Sequence, residues 1–258
     1  MPINIVQADI TRHLRGNILR VGAGQALALA PQGDIPSGLR IEVLQQGRLD
    51  LLLLHAGYRS VQLCVSQAEE SCVNLFLFAL EDGETEQSVR VDLLGERAEC
   101  GIFGFSAAAL SQKRQASIAV NHVAAACRSE QLFRQVVGGS AEVSFDGRVT
   151  VAQNAQRTDA RQSCKTLLLS EAARAHVQPQ LEIYADDVKC SHGATVGQLS
   201  SEALFYLRSR GVGLLEAQQL LLLGFADEVV QKIPAPAFRE SISSLIAEKM
   251  SVNLVKKT

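Results

Sequence analysis

Several signatures that would assign a chemistry are missing from this chain. No glycine-rich phosphate loop occurs: Gly22-Ala-Gly24 lacks both the following lysine and the spacing that cradles a nucleotide, so the chain is not expected to bind or hydrolyse one itself. No G-x-S-x-G elbow gives hydrolase chemistry an anchor. The six cysteines, Cys64, Cys72, Cys100, Cys127, Cys164 and Cys190, never approach a CxxC pair, and most read as small buried hydrophobes. A net charge of −2 gives no basic face for nucleic acid or an anionic membrane, and the Lys256-Lys257 pair is too small to supply one. The densest apolar runs, Leu49 to Leu54 and Leu220 to Leu223, are far too short to span a bilayer. Met1-Pro-Ile-Asn-Ile5 lacks the basic start and apolar stretch of an export signal. The expected address is the cytoplasm.

With 47% apolar and 20% charged residues in 258, there is ample material for a packed core. From Ile18 to about Val188 short segments alternate apolar and polar residues. They include Ile41-Glu-Val-Leu44, Val61-Gln-Leu-Cys-Val65, Val73-Asn-Leu-Phe-Leu-Phe78, Val89-Arg-Val-Asp-Leu-Leu94 and Ile118-Ala-Val-Asn-His-Val123. Period two places the apolar side chains on one sheet face, and Gly47, Gly57, Asp82-Gly83, Gly95 and Asp146-Gly147 read as the intervening turns. The early segments recur about every ten residues, the rhythm of a sandwich, a barrel or a stacked-rung solenoid. Periodicity does not choose among them.

After Gln198 the pattern becomes helical. Ser200 or Ser201 can cap a helix with Glu202 in its first turn and Gly211 as its stop. Leu214, Ala217 and Leu221 share a face that Gly224 is expected to end. Phe225, Val229 and Ile233 form the next stripe, stopped by Pro234 and Pro236; Phe238, Ile242, Leu245 and Met250 form a third. The boundary predicts a β part over 1–198 and a helical subdomain over 199–258.

The junction holds the densest set of reactive groups, Asp186, Asp187, Cys190 and His192. Cys190 and His192 are two apart, so in a strand both address one face, and thiolate and imidazole are competent iron or zinc ligands. Two donors do not close a site. Asp186 and Asp187 stand near enough in sequence to act as acceptors for the imidazole, but adjacent strand residues face opposite ways, which counts against an acid pair in a groove. His13, His55 and His176 are isolated and read as surface histidines.

Leu181-Glu-Ile-Tyr-Ala-Asp-Asp-Val-Lys-Cys-Ser-His-Gly-Ala-Thr-Val-Gly-Gln-Leu199 with Leu204-Phe-Tyr-Leu-Arg-Ser-Arg-Gly211 resembles the signature of the SufB/SufD family of iron–sulfur assembly scaffolds, its SufD branch most. Phe145-Asp-Gly-Arg-Val-Thr-Val151, Ala155-Gln-Arg-Thr-Asp-Ala-Arg-Gln162 and Leu167-Leu-Leu-Ser170 agree. The clear resemblance runs from about Gly138 to Phe225. Family members usually carry a further helical N-terminal region, whereas this chain is expected to begin at the β part. Cys164 stands where the family motif is usually polar, and Gln112-Lys-Arg-Gln-Ala116 lacks an acidic residue common there.

The resemblance implies a mainly β fold, a right-handed parallel β-helix with C-terminal helices, and a non-enzymatic scaffold. It also implies pairing with a SufB-type protomer (or a second copy) through the β-helix. A SufC-type ABC ATPase would dock on Ser200 to Val230, with Phe205, Leu214 and Phe225 as anchors. His192 would be a metal or cluster ligand at the protomer interface, sharing a transient iron–sulfur cluster; Cys190 is its candidate companion from the i, i+2 spacing, not from the resemblance. From residues alone, a β-solenoid binding protein or a carbohydrate-active enzyme with a groove site stays open as the alternative.

Overall fold

The computed structural model describes residues 6–8, 10–31, 35–54 and 60–250. His55, Gly57, Met1 to Ile5 and the Lys256-Lys257 tail lie outside the described residues. The strands are β1 (Val6–Ala8), β2 (Leu14–Arg15), β3 (Ile18–Val21), β4 (Ala26–Pro31), β5 (Leu39–Val43), β6 (Arg48–Leu54), β7 (Ser60–Gln67) and β8 (Cys72–Ala79). They continue with β9 (Thr85–Leu93), β10 (Glu99–Ala108), β11 (Lys113–His122), β12 (Arg128–Val137), β13 (Glu142–Val151), β14 (Thr158–Leu168), β15 (Arg174–Ile183) and β16 (Val188–Gly197). Three helices follow, α1 (Ser201–Ser209), α2 (Leu214–Val230) and α3 (Pro236–Lys249).

From β3 onward the chain places alternate strands in two facing sheets. One runs β4-β6-β8-β10-β12-β14-β16 and the other β3-β5-β7-β9-β11-β13-β15. Successive rungs pair in parallel; the single antiparallel pair among the described residues is β2 with β3. This is the parallel β-solenoid expected, and it runs past Val188 to Gly197. The rung grows along the molecule: Arg20 meets Glu42 across 22 residues, Gln45 meets Glu69 across 24, and Arg148 meets Gln180 across 32. Such drift hides the repeat from a search for fixed spacing.

Alternation does the sorting. In β7, Val61, Leu63 and Val65 point inward and are buried while Gln62 and Cys64 face water. The inward residues of the earlier rungs stack into one aliphatic core, including Leu51, Leu75, Ile102 and Val120. A stack of rungs buries this core without helical crossovers, because each strand is hydrogen-bonded to the ones above and below. Corners are set by residues in the left-handed region, Gln46, Glu70, Arg97, Ala126 and Arg157 at φ 55–61°, whose amides bond to the corner of the next rung.

One turn reading and one helix-end reading are corrected. Asp146-Gly147 is not a turn: both residues lie inside β13, which joins two segments that alternation alone separates. Asp-Gly favours turns locally, but ten register pairs to β11 and ten to β15 hold this stretch extended. Gly224 does not end a helix, because α2 runs through it from Leu214 to Val230. A helical glycine costs about 1 kcal/mol relative to alanine. Burial of Ala217, Leu222, Ala226, Val229 and Val230 on the same helix outweighs it.

The other helix limits read correctly. Ser200 caps α1 by accepting from the Ala203 amide at 3.2 Å, and Gly211 at φ 87° follows its end. Helices α2 and α3 cover the outer face of the even-numbered sheet. Phe76, Phe78, Phe103, Phe105, Leu132 and Val136 there share one core with Leu222, Val229, Ile233, Ile242 and Met250. Among the described residues no helix is long and apolar enough to cross a membrane.

Candidate functional site

The two ends of the solenoid differ. At the first, the 3₁₀ turn Ile10–His13 folds over the core, with Ile10 only 1% exposed. At the other, β15 and β16 form the last rung, each hydrogen-bonded on one side only. The upper edges of two neighbouring strands, and the inward side chains between them, are open to solvent. Ile183, Tyr184 and Val196 are exposed apolar residues of this end. An uncovered strand edge carrying apolar side chains is a template for another chain.

Cys190 and His192 both lie on β16, and the register shows which way they face. Cys190 pairs with Ala160 and His192 with Gln162, both inward-facing and buried in β14. The expected i, i+2 arrangement therefore holds, and both side chains belong to the inner column at its open end. Cys190 is half-buried against a cluster that includes Ala160 and Leu181. Burial raises its thiol above the usual range, helped slightly by the charge of Asp159 and opposed by the Ala160 amide. It needs a metal or an added positive charge to become a thiolate near neutral pH. His192 is exposed.

Asp186 and Asp187 precede β16 in an exposed turn. At about 3.3 Å per strand residue, Asp187 is roughly 16 Å along the strand from His192, beyond hydrogen-bonding reach. Asp187 instead serves the corner, its carbonyl accepting from the Arg157 amide at 2.6 Å. Among the described residues no three His, Cys, Asp or Glu side chains converge to hold a metal.

Beneath the open rung the core changes character. The column through Leu51, Leu75 and Ile102 continues as Gln131, Gln162 and His192. Gln162 donates to the Gln131 carbonyl oxygen at 2.8 Å. Gln135 accepts from Thr166 at 3.0 Å and from the Cys164 thiol at 3.7 Å. Burial pushes the Cys164 thiol up to about 12, so it is an inert core group. The glutamines were missed in the sequence, although inward polar residues at Gln131 and Gln162 break the aliphatic alternation and mark the place.

One rung deeper His122 is 1% exposed and its Nε2 lies 2.8 Å from the Ser129 hydroxyl. Burial lowers its pKa to about 4. The unfolded chain takes a proton near pH 6.5 while the folded chain refuses it until about pH 4. Stability is therefore complete above pH 6.5 and falls by about 3 kcal/mol as the pH drops through that window. Urea midpoints at pH 7.5 and 4.5 should separate less in His122→Gln than in the parent. Equal pH dependence in both would remove His122 as the cause. Two of the histidines read as surface residues match that reading: His13 is exposed, and His176 is exposed beside Glu142 at 3.4 Å; His55 lies outside the described residues.

A groove of about 440 Å³ runs along the outer face near Phe103, Glu99, Glu130 and Asp159. Its acids are engaged, Glu130 with Lys232 at 2.7 Å, Asp159 with Arg161 at 3.2 Å and Glu99 with Arg128 at 3.8 Å. The arrangement offers no unpaired carboxylate couple for glycoside chemistry.

The three proposed anchors fall in different places. Phe205 is 75% and Leu214 46% exposed, whereas Phe225 packs into the helix–sheet core with the Arg134 guanidinium 5.8 Å from its ring centroid. Tyr206, Leu215 and Leu220, unremarked in the sequence, are exposed too and widen the apolar surface of α1 and α2.

The described residues thus form a parallel β-solenoid, covered at its first end and open along the β15–β16 rung, with three C-terminal helices. The chain belongs to the family described as SUF system FeS cluster assembly, SufBD core domain, whose model matches residues 51–225. It is 32% identical over 183 residues to the iron–sulfur cluster assembly protein SufD of Escherichia coli, covering 71% of this chain and 43% of the relative. A SufBD family protein of Synechocystis is 41% identical over 131 residues, 51% of this chain and 28% of that one. SufD of Bacillus subtilis is 29% identical over 189 residues, 72% and 42% respectively. The chain thus spans less than half the length of these relatives.

Proposed function

We propose that this chain is a SufD-like, non-enzymatic scaffold of iron–sulfur cluster assembly, working in the cytoplasm. It pairs through its last rung with a SufB-type protomer or a second copy, and carries a SufC-type ABC ATPase on its C-terminal helices. The observation that supports this most is the uncovered β15–β16 rung, with a histidine and a cysteine on its inner face. Two donors leave positions on iron unfilled, and a facing protomer would supply the rest; the cluster is then cargo held transiently between chains. A mixed imidazole and thiolate set with few protein ligands favours release over storage.

The ATPase reading is supported by the apolar surface of α1 and α2, where Phe205 and Leu214 are exposed beside Tyr206 and Leu215. The cap shares a core with the even-numbered sheet, so deleting it would disturb the fold, and substitutions are the cleaner test. Phe205→Ala combined with Leu214→Ala, made in the full chain, should weaken co-purification of the ATPase about ten-fold or more. Thermal stability should stay unchanged. Undiminished recovery of the ATPase with this double variant would refute the docking surface.

A further inference from the structure

We propose that Gln162 is a positioning residue for His192, its Oε1 accepting a hydrogen bond from the ring N–H once the open rung is covered; this rests on His192 being the cluster-facing ligand. In a stack of parallel strands, side-chain amides at one register position form a ladder, each N–H bonding to the oxygen one rung away. Gln131 and Gln162 make one such step, Gln162 Nε2 to Gln131 Oε1 at 2.8 Å. What remains unpaired is diagnostic: Gln131 Nε2 at the aliphatic side and Gln162 Oε1 at the other, both buried. Gln162 is 3% exposed, and the next residue in its column is His192.

An unpaired buried carbonyl is costly, and the ladder supplies the natural donor for it, an imidazole N–H one rung above. The amide is also held in place. Gly147 on the opposite sheet has no Cβ; one built there would lie 2.2 Å from Gln162 Nε2 and 2.5 Å from the Phe145 ring. The glycine that breaks the turn reading of Asp146-Gly147 thus makes room for the ladder. Phe133 and Phe145, with ring centroids 4.7 Å apart, wall it from the rest of the core.

In the single chain the His192 side chain is solvated, and its ring makes no hydrogen bond among the described residues. Covering the rung would remove that water. The ring N–H then turns to Gln162 Oε1, which fixes the tautomer and leaves the other nitrogen's lone pair facing out of the mouth, toward iron. Gln162 itself touches neither metal nor substrate.

Gln162→Met keeps the volume and deletes the acceptor, and Gln162→Glu keeps an acceptor oxygen. In cells dependent on this protein, Gln162→Met should reduce cluster assembly by about ten-fold or more while partner binding persists, and Gln162→Glu should recover most of it. Ring ¹⁵N spectra of His192 in the assembled wild-type complex should show one tautomer, giving way to a mixture in Gln162→Met. Should Gln162→Met fold poorly, the wild-type spectrum still decides, since a solvent-like tautomer mixture there overturns the proposal. So does a Gln162→Met variant with normal assembly and an unchanged spectrum. If His192→Ala proves inactive while Gln162→Met behaves as wild type, the positioning role alone fails. A fully active His192→Ala instead removes the ligand reading beneath it, and the positioning role falls with it.

Discussion

His192→Ala should fold, melt and pair like the parent, yet fail to support iron–sulfur cluster formation in cells that depend on this chain. His192 is exposed on the terminal strand and its ring makes no hydrogen bond among the described residues, so truncation removes little packing. Substitutions at such positions usually change stability by no more than about 0.5 kcal/mol. Under the proposed ligand role, by contrast, truncation removes a bond to the metal that Asp186 and Asp187 cannot replace, since both are out of reach. Cys190→Ala should be milder in function and cost some stability, because its side chain packs against the small cluster around Ala160. A rival role, in which His192 merely caps the last rung, makes the opposite forecast: a lowered melting temperature in the isolated chain. Thermal denaturation and complementation measured on the same variant separate the two. Full complementation by a well-folded His192→Ala would end the ligand hypothesis.

Glu228→Ala should loosen the helical cap from the solenoid. Arg134 leaves the outer face of β12 with its side chain only 3% exposed, and its Nε and Nη2 donate to one Glu228 oxygen at 3.0 and 2.5 Å. Nη1 donates to the Phe133 carbonyl at 2.8 Å, while Lys165 approaches the same carboxylate at 3.8 Å. Deleting the carboxylate leaves a guanidinium buried without its counter-ion, a change that commonly costs 3–5 kcal/mol. Glu228 is 42% exposed and water can enter in its place, so about 2–3 kcal/mol is expected here. The loss should appear as faster amide exchange in α2 and β12, together with weaker ATPase recovery if α2 carries part of the docking surface as proposed. Adding Arg134→Met to Glu228→Ala should restore much of the stability by removing the stranded charge. Unchanged exchange in the single variant would show that the apolar contacts alone hold the cap.

The sequence by itself carried the local grammar: period-two strands, Ser200 and Gly211 as helix limits, and Cys190 and His192 sharing one strand face. These were legible because each depends on residues a few positions apart, through the two-fold pleat or the first turn of a helix. The even wider match of motifs from Gly138 to Phe225 indicated the solenoid, which alternation could not distinguish from a sandwich. Only the tertiary structure decided the rest. It placed Gly147 in a strand and Gly224 in a helix, against their local preference, because register and burial outweigh about 1 kcal/mol of propensity. It brought Glu228 to Arg134 across 94 residues, and Gln162 under His192, with a rung length that drifts from 22 to 32 residues. It also turned Phe205 outward on α1 and Phe225 inward on α2. Which side chains stack, and which end stays open, follow from where each rung closes. That closure is a property of the whole coil of chain, summed over turns of unequal length, and no short window of residues contains it.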